Sequence, residues 1–425
     1  MKENLLLSIL LLLLVLGACK PNTMEEPTAN DLDKEHLFNL MDNWYLWNHT
    51  LPENPDLDSY ENPADLLNQV RFKTYDRWSS VGNASSFNSY YEEGTYFGYG
   101  FSYGFNSDNE LRIKYVYDDS PFARAGVQRG WMLTHIDGTD VQTITDWSGV
   151  FGDETPGFTQ SFTFKNASNE TEDLSITKDV VTINSVLYAD TLSVGTETVG
   201  YMVFNNFIEP SRSELDDAFI WFASNNISKL ILDLRYNGGG RISVATYLSN
   251  YIIDETDSGK DLYRFEHNDD KTDNNDGRKL TSRGVLNIHE LIVLSTEQTA
   301  SASELVLNGL KPLMNVTHIG TANTYGKPVG TYSWFSLDET QVYSIISFKF
   351  LNSNGEGDFF DGIEPDFKAC DDLKSNWGDT SELMLAAALQ YIETGEMDEC
   401  SVQTKLLNKN KNLPVEGYHP AALLN

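Results

Sequence analysis

Two short segments hold the residues whose types and spacing could do chemistry: Thr299-Ala-Ser301-Ala-Ser303-Glu304, and further along Tyr325-Gly326-Lys327. A serine hydroxyl is a weak nucleophile until a neighbouring base takes its proton. No histidine stands in a comparable position, so the base on offer is a lysine. An ammonium cannot accept a proton, and burial is what lowers a lysine pKa enough to supply the free amine. The pattern reads as a serine–lysine hydrolase.

The surrounding residues say how such a serine is held. Leu291-Ile-Val-Leu294 is a short apolar run of buried-strand type, Ser295 to Thr299 is polar, and Ser303 to Leu307 opens a helix that Gly309 and Pro312 soon end. Ser301 therefore lies at a strand-to-helix turn, where the first helical N–H groups lack internal partners and the N–H of Ala302 can face a developing oxyanion. Residues three apart share a helix face, whereas residues two apart do not. Ser301 can thus cooperate with Glu304, while Ser301 and Ser303 cannot both face a cleft. Lys311 would be carried about 15 Å away along the helix, which leaves Lys327.

These residues resemble the nucleophile and base segments of the C-terminal processing peptidases, also called tail-specific proteases. The resemblance takes in Leu230-Ile-Leu-Asp233-Leu-Arg235-Tyr-Asn237-Gly238-Gly239-Gly240 and Gly362-Ile363-Glu-Pro365-Asp366, in the family's order, and covers roughly residues 90 to 395. It implies Ser301 as nucleophile and Lys327 as general base, with Gly238, Gly239, Gly240 and the N–H of Ala302 as oxyanion hole. It also implies Glu304 as the residue that orients the pair. Other members hold the lysine with a Gln four residues after it or an Asp in the helix after the serine; here those positions are Thr331 and Pro312.

Gly98-Tyr99-Gly100-Phe101 resembles the carboxylate-binding loop of PDZ domains, and Asp119 to Val127 followed by Gly130 to Gly138 resembles the PDZ helix, turn and strand. Such a module takes the end of an extended peptide on an open sheet edge. Upstream, Lys2 precedes an apolar run from Leu5 to Leu16 that is too short to span a bilayer, and Leu16-Gly17-Ala18-Cys19 looks like a bacterial lipobox. Cleavage there would leave Cys19 as a lipidated first residue. The expected organisation is a signal peptide (1–18), a flexible tether (19–33), a helical domain (34–90), a PDZ-like domain (91–186), a catalytic domain (187–398) and a tail (399–425). The fold class is mixed α/β, since strands and helices alternate in the catalytic region.

With 63 acidic against 30 basic residues and a formal charge of −33, the chain lacks the clustered positive surface that nucleic acid requires. Once Cys19 is assigned to an anchor, Cys370 and Cys400 remain, and they either pair in an oxidising compartment or stay as two buried thiols. The seven histidines show no ligand spacing, and the acidic stretch 268–276 misses the calcium-loop pattern, so neither metal nor organic cofactor is expected. Gly100-Phe-Ser102-Tyr-Gly104 fits the nucleophile-elbow formula but has no helix after it. The expected function is an exported, lipid-anchored serine endopeptidase that binds the C-terminal regions of protein substrates. The alternative from another class is a protease-fold peptide-binding scaffold with little or no catalysis. Natural substrate, membrane face and oligomeric state are not set by the sequence.

Overall fold

The computed structural model describes residues 28–398 together with Cys400 and Leu413; the leader, the lipobox with Cys19, most of the tether and nearly all of 399–425 lie outside the described residues. Helix α1 (Ala29–Trp44) opens with a capping box, in which Thr28 Oγ1 accepts from the Asp31 N–H and the Asp31 carboxylate accepts from the Thr28 N–H. It therefore starts inside the stretch expected to be tether, whose polar composition conceals this start signal. Helix α2 (Pro63–Val70), strand β1 (Ser80–Asn83) and helix α3 (Ala84–Asn88) follow.

The next segment contains β2 (Thr95–Gly98), β3 (Phe101–Phe105), β4 (Leu111–Val116), α4 (Pro121–Arg124), β5 (Met132–Ile136), β6 (Thr139–Asp140), β7 (Thr159–Lys165), β8 (Thr171–Thr177) and β9 (Asp179–Thr182). Strands β3-β4-β5-β7-β8 make one antiparallel sheet with β3 at its edge, and β2 pairs with β9. Alternate residues point inward, as in β7, where Phe162 and Phe164 enter the aromatic core.

The remaining elements are β10 (Val186–Val194), β11 (Glu197–Phe204), α5 (Ser211–Ser224), β12 (Lys229–Asp233), α6 (Ile242–Ile252), β13 (Asp261–Glu266), β14 (Gly277–Lys279), β15 (Glu290–Ser295), α7 (Ala302–Leu310), β16 (Asn315–Gly320), β17 (Val329–Phe335), β18 (Gln341–Leu351), β19 (Phe367–Lys368) and α8 (Leu383–Thr394). A sheet of order β10-β11-β12-β15-β16-β19 runs parallel from β11 to β19. Crossover helices α5, α6 and α7 make that parallel run possible. Both faces are buried, so successive residues of one strand serve two cores: Leu230 and Leu232 join one, Ile231 the other, which α8 completes. The mixed α/β class expected from the sequence holds. At the start of helix α5, Ser211 Oγ turns inward to Asn206 O and Ser185 Oγ.

A second sheet carries β18 at its centre, with β17 along one side and β1 and β13 along the other. Helices α1 and α2 pack on it, burying Leu37, Met41, Leu66 and Trp78 with Tyr343, Ile345 and Ile346. This joins the N-terminal helices to the strand that follows the lysine segment.

Beneath the parallel sheet lies a buried ion cluster. The Arg235 guanidinium donates to Asp233 at 2.7 Å, to Glu382 at 2.7 Å and to Asp371 at 3.2 Å, with no exposed side-chain surface. Arg129 reaches two of these carboxylates, Asp371 and Glu382, from the antiparallel module and lies 3.7 Å over the Trp377 ring. Cys370, next to Asp371, is disulfide-bonded to Cys400. Removing one partner of a buried cluster leaves the opposite charge uncompensated, which costs about 3–5 kcal/mol. Arg235→Met should therefore lower the denaturant midpoint by that equivalent; a midpoint unchanged within error would show that the carboxylates are held by other means.

Candidate active site

Three loops at the carboxyl ends of parallel strands meet at one place, where open parallel sheets generally bind ligands. They are the glycine turn after β12, the Ser301 turn after β15 and the lysine loop after β16. Hydrogen bonds lock them together: Thr299 O accepts from Tyr325 N at 2.9 Å, Asn237 O accepts from Ala300 N at 3.0 Å, and Thr299 Oγ1 donates to Leu234 O at 2.7 Å.

Ser301 immediately precedes α7 with φ 55° and ψ −112°, a backbone conformation that a non-glycine residue adopts at a cost of order 1–3 kcal/mol. The turn is retained because its neighbours determine it. A Cβ on Gly239, itself at φ 100°, would lie 2.8 Å from Ser301 Cβ and 2.9 Å from Ala302 N. Only glycine lets the two turns approach so closely. Ser303 is fully buried and donates its hydroxyl to Asn237 O at 3.0 Å. Of the two serines, only Ser301 lines the cavity.

The glycine residues divide their labour. Gly239 donates its N–H to Asn237 Oδ1 at 2.8 Å, so it supplies the close approach rather than an oxyanion donor, correcting its expected role. Among the described residues no partner is found for the N–H groups of Gly238, Gly240 or Ala302. Ala302 follows Ser301 directly, and Gly240 lines the same cavity as Ser301.

Lys327 is 4% exposed, and burial pulls its amine down to about 8 even though the charges of Asp76 and Glu304 act to raise it. Its Nζ stands 5.9 Å over the Trp78 ring. Asp76 is itself buried, accepting from Tyr45 OH at 2.8 Å and from the N–H groups of Trp78 and Ser79. Asp76 and Trp78 come from the N-terminal segment, and sequence reasoning missed both.

Glu304 ties the serine and lysine loops together. Its Oε2 accepts from Ser301 N at 2.8 Å and Lys327 N at 2.9 Å, and its Oε1 from Gly326 N at 2.7 Å and Thr324 Oγ1 at 2.5 Å. Burial pushes this carboxyl up, while the four donors oppose the shift. We assign the ionised form because each of those neighbours is a donor, and only a carboxylate accepts all four. The Gly362-Ile363 segment braces the same loop, since Ile363 N donates to Thr324 Oγ1 at 2.8 Å and Thr324 N to Ile363 O. Thr331 lies on β17 in the cavity wall.

Ser301 and Lys327 both open onto a cavity of about 560 Å³. Chemically the arrangement provides a hydroxyl on a strained turn, a desolvated amine and two amide donors, the parts that acyl transfer needs.

In the antiparallel module, Tyr99 and Phe101 are core residues: Tyr99 donates to Gln160 Oε1 at 3.0 Å and Phe101 stacks on Phe122 at 4.0 Å. The carbonyls of Tyr99 and Gly100 accept from Phe122 N and Tyr117 N. Gly98 ends β2, and Gly100 has φ 84° with Ser120 Cβ only 2.2 Å from where its own Cβ would be. The loop is thus pinned in shape by the core below it. Trp147 and Phe151 pack over Tyr103 and Phe105 of edge strand β3. Lys114 on β4 donates to Gln298 Oε1 at 2.7 Å, linking this module to the Ser301 turn.

Comparison with known proteins agrees with this geometry. Residues 198–369 match the profile of peptidase family S41, residues 34–80 that of the peptidase S41 N-terminal domain, and residues 112–152 that of a PDZ domain. The "Probable CtpA-like serine protease" of Staphylococcus haemolyticus is 27% identical over 271 residues, covering 61% of this chain and 50% of that protein. The counterpart from Staphylococcus aureus strain COL is 24% identical over 347 residues, covering 79% and 65%. The chain spans about half the length of the first of these relatives. A crystal structure of a candidate S41 protease from Bacteroides fragilis gives a TM-score of 0.68 at 23% identity, over 85% of this chain and 98% of that one. The photosystem II D1 C-terminal processing protease gives 0.52 at 19% identity, over 80% and 93%; both likenesses concern the fold. The glycine turn, Ser301 and Lys327 all fall within the matched S41 core, and the two S41 profiles together take in just over half of the residues, so the chain belongs to peptidase family S41.

Proposed function

We propose that this chain is an exported, lipid-anchored serine endopeptidase that captures the C-terminal regions of proteins and cleaves within them. The observation that carries the reading is the shared cavity of Ser301 and Lys327, with both backbones gripped by Glu304. Ser301 Oγ attacks the peptide carbonyl, and the neutral Lys327 amine takes its proton and later gives it to the leaving amine. The N–H groups of Gly240 and Ala302 receive the oxyanion. Water attacks the acyl-enzyme in the second half, with Lys327 again as base. A scaffold would have no use for a lysine amine buried at such cost.

Strand β17 leaves Lys327 with its outer edge unpaired among the described residues, so a substrate can add there as a strand. The PDZ match and the glycine loop at Gly98 to Phe101 support capture of chain ends upstream of the cleavage site. Anchoring rests on the Leu16-Gly17-Ala18-Cys19 motif, which supports a location in a bacterial cell envelope; mass spectrometry of the mature N-terminus would decide it, an unmodified Cys19 rejecting the anchor.

The mechanism sets a pH dependence. Only the uncharged amine works, so kcat/KM for an unfolded protein should rise tenfold per pH unit up to about 8 and then level. Asp76 raises the lysine pKa, so Asp76→Asn should move the rise to lower pH. A profile flat from pH 6 to 9 would exclude a lysine base.

A further inference from the structure

Taking the proposed peptidase reading as its basis, we propose that the cavity beside Ser301 selects a bulky apolar or aromatic side chain on the residue that supplies the scissile carbonyl. The wall is built from Tyr263, Phe265, Tyr332, Phe348 and Phe350. These rings brace one another edge to face, Phe265 on Phe348 at 4.4 Å and Tyr263 on Phe265 at 5.2 Å, with Tyr332 tilted on Phe348 at 4.9 Å. Phe348 and Phe350 are each 1% exposed. The wall is therefore formed before a ligand arrives, which spares the ligand the entropy of ordering it.

Gly330 is what keeps the cavity open. A Cβ there would lie 2.3 Å from the Phe348 ring, so any larger residue would collide with the wall. The volume of about 560 Å³ exceeds what a methyl or hydroxymethyl side chain can fill, and unfilled apolar wall forfeits contact. Charge narrows the choice further. The basic residues lining the cavity are Arg241, Arg278 and Lys327, with no carboxylate among them, although the chain as a whole is strongly acidic. A lysine or arginine side chain would find no carboxylate in the lining to pair with, and the nearby Glu92 and Asp276 already engage Arg241 and Arg278. The side chain concerned belongs to the carbonyl side, because Gly240 to Ile242 form one wall and the oxyanion faces Gly240.

The test maps the sites cut in a reduced, unfolded protein by the full chain, then compares peptides that differ only in the residue before the bond. Phe, Tyr, Leu or Met should exceed Ala by at least tenfold in kcat/KM, and Lys or Arg should fall below Ala. Thr246→Phe, which projects a ring into the cavity from α6, should reduce the ratio of bulky to Ala turnover at least tenfold. Should that variant fail to fold, Tyr332→Ala removes part of the wall from a strand of intermediate exposure and should lower the aromatic-to-Ala ratio. Cleavage after small or basic residues, selection confined to the residue after the bond, or ratios unmoved in a folded variant would each overturn the inference. A chain that cuts after alanine defeats this inference alone; one that cuts nothing defeats the peptidase reading with it.

Discussion

Turnover of an unfolded protein should fall at least about 10³-fold in both Ser301→Ala and Lys327→Ala, with each variant folded as judged by an unchanged denaturant midpoint or a higher one. Ser301→Ala removes one cavity-lining hydroxyl at a turn whose other bonds run through backbone groups and Glu304. Lys327→Ala removes an amine that folding has desolvated. Its folded pKa lies below the unfolded value, so it opposes folding fully below about pH 8, and this penalty fades as pH rises toward the unfolded value. Lys327→Arg restores a cation that cannot give up its proton and should be as inactive as Lys327→Ala. Ser303→Ala, whose hydroxyl faces Asn237 O rather than the cavity, should retain turnover within about threefold. Substantial peptide cleavage by Ser301→Ala, or its loss in Ser303→Ala alone, would transfer the chemistry to another residue.

Glu304→Ala should damage both stability and rate, and the two can be separated. Four donors converge on this carboxylate, and each buried donor left unmatched costs about 1–3 kcal/mol. A loss of at least about 3 kcal/mol follows, visible as a lowered denaturant midpoint. Glu304→Gln keeps the volume but turns an NH₂ group toward two donors, so it should fold better than Glu304→Ala and still lose at least about tenfold in kcat. The residual activity carries a diagnostic. Glu304 raises the lysine pKa, so removing its charge should shift the pH rise of Glu304→Gln downward. A normal rate in folded Glu304→Gln would show that the carboxylate is a brace without influence on the reacting groups.

The parts of this site readable in the sequence are those that form contiguous signatures. Ser301 was marked by its small neighbours, by its place at a strand-to-helix turn and by the three-residue spacing to Glu304, whose carboxylate accepts from Ser301 N. The glycine turn was legible because close approach leaves no room for a Cβ, although the N–H of Gly239 proved to belong to Asn237. What stayed hidden is made by pairing across the chain. Trp78 and Asp76 meet Lys327 because β1 lies beside β18, with Ser80 opposite Ser344, and no local pattern encodes that register. The aromatic wall escaped notice for the same reason: Tyr263, Tyr332 and Phe348 read as ordinary strand residues until three strands bring their rings together. The start of α1 was concealed by composition, because acidic and polar residues around Thr28 suit a linker as well as a first helical turn.

The pairing of β1 with β18 also sets a schedule for biosynthesis. A ribosome delivers Asp76 and Trp78 early, but the strand on which their segment docks is not made until residue 341 has been added. A nascent chain that ends before that point lacks the strand that brings Asp76 and Trp78 to Lys327, however well its glycine turn has formed. Chain order thus delays assembly of the lysine's surroundings until β18 has been made.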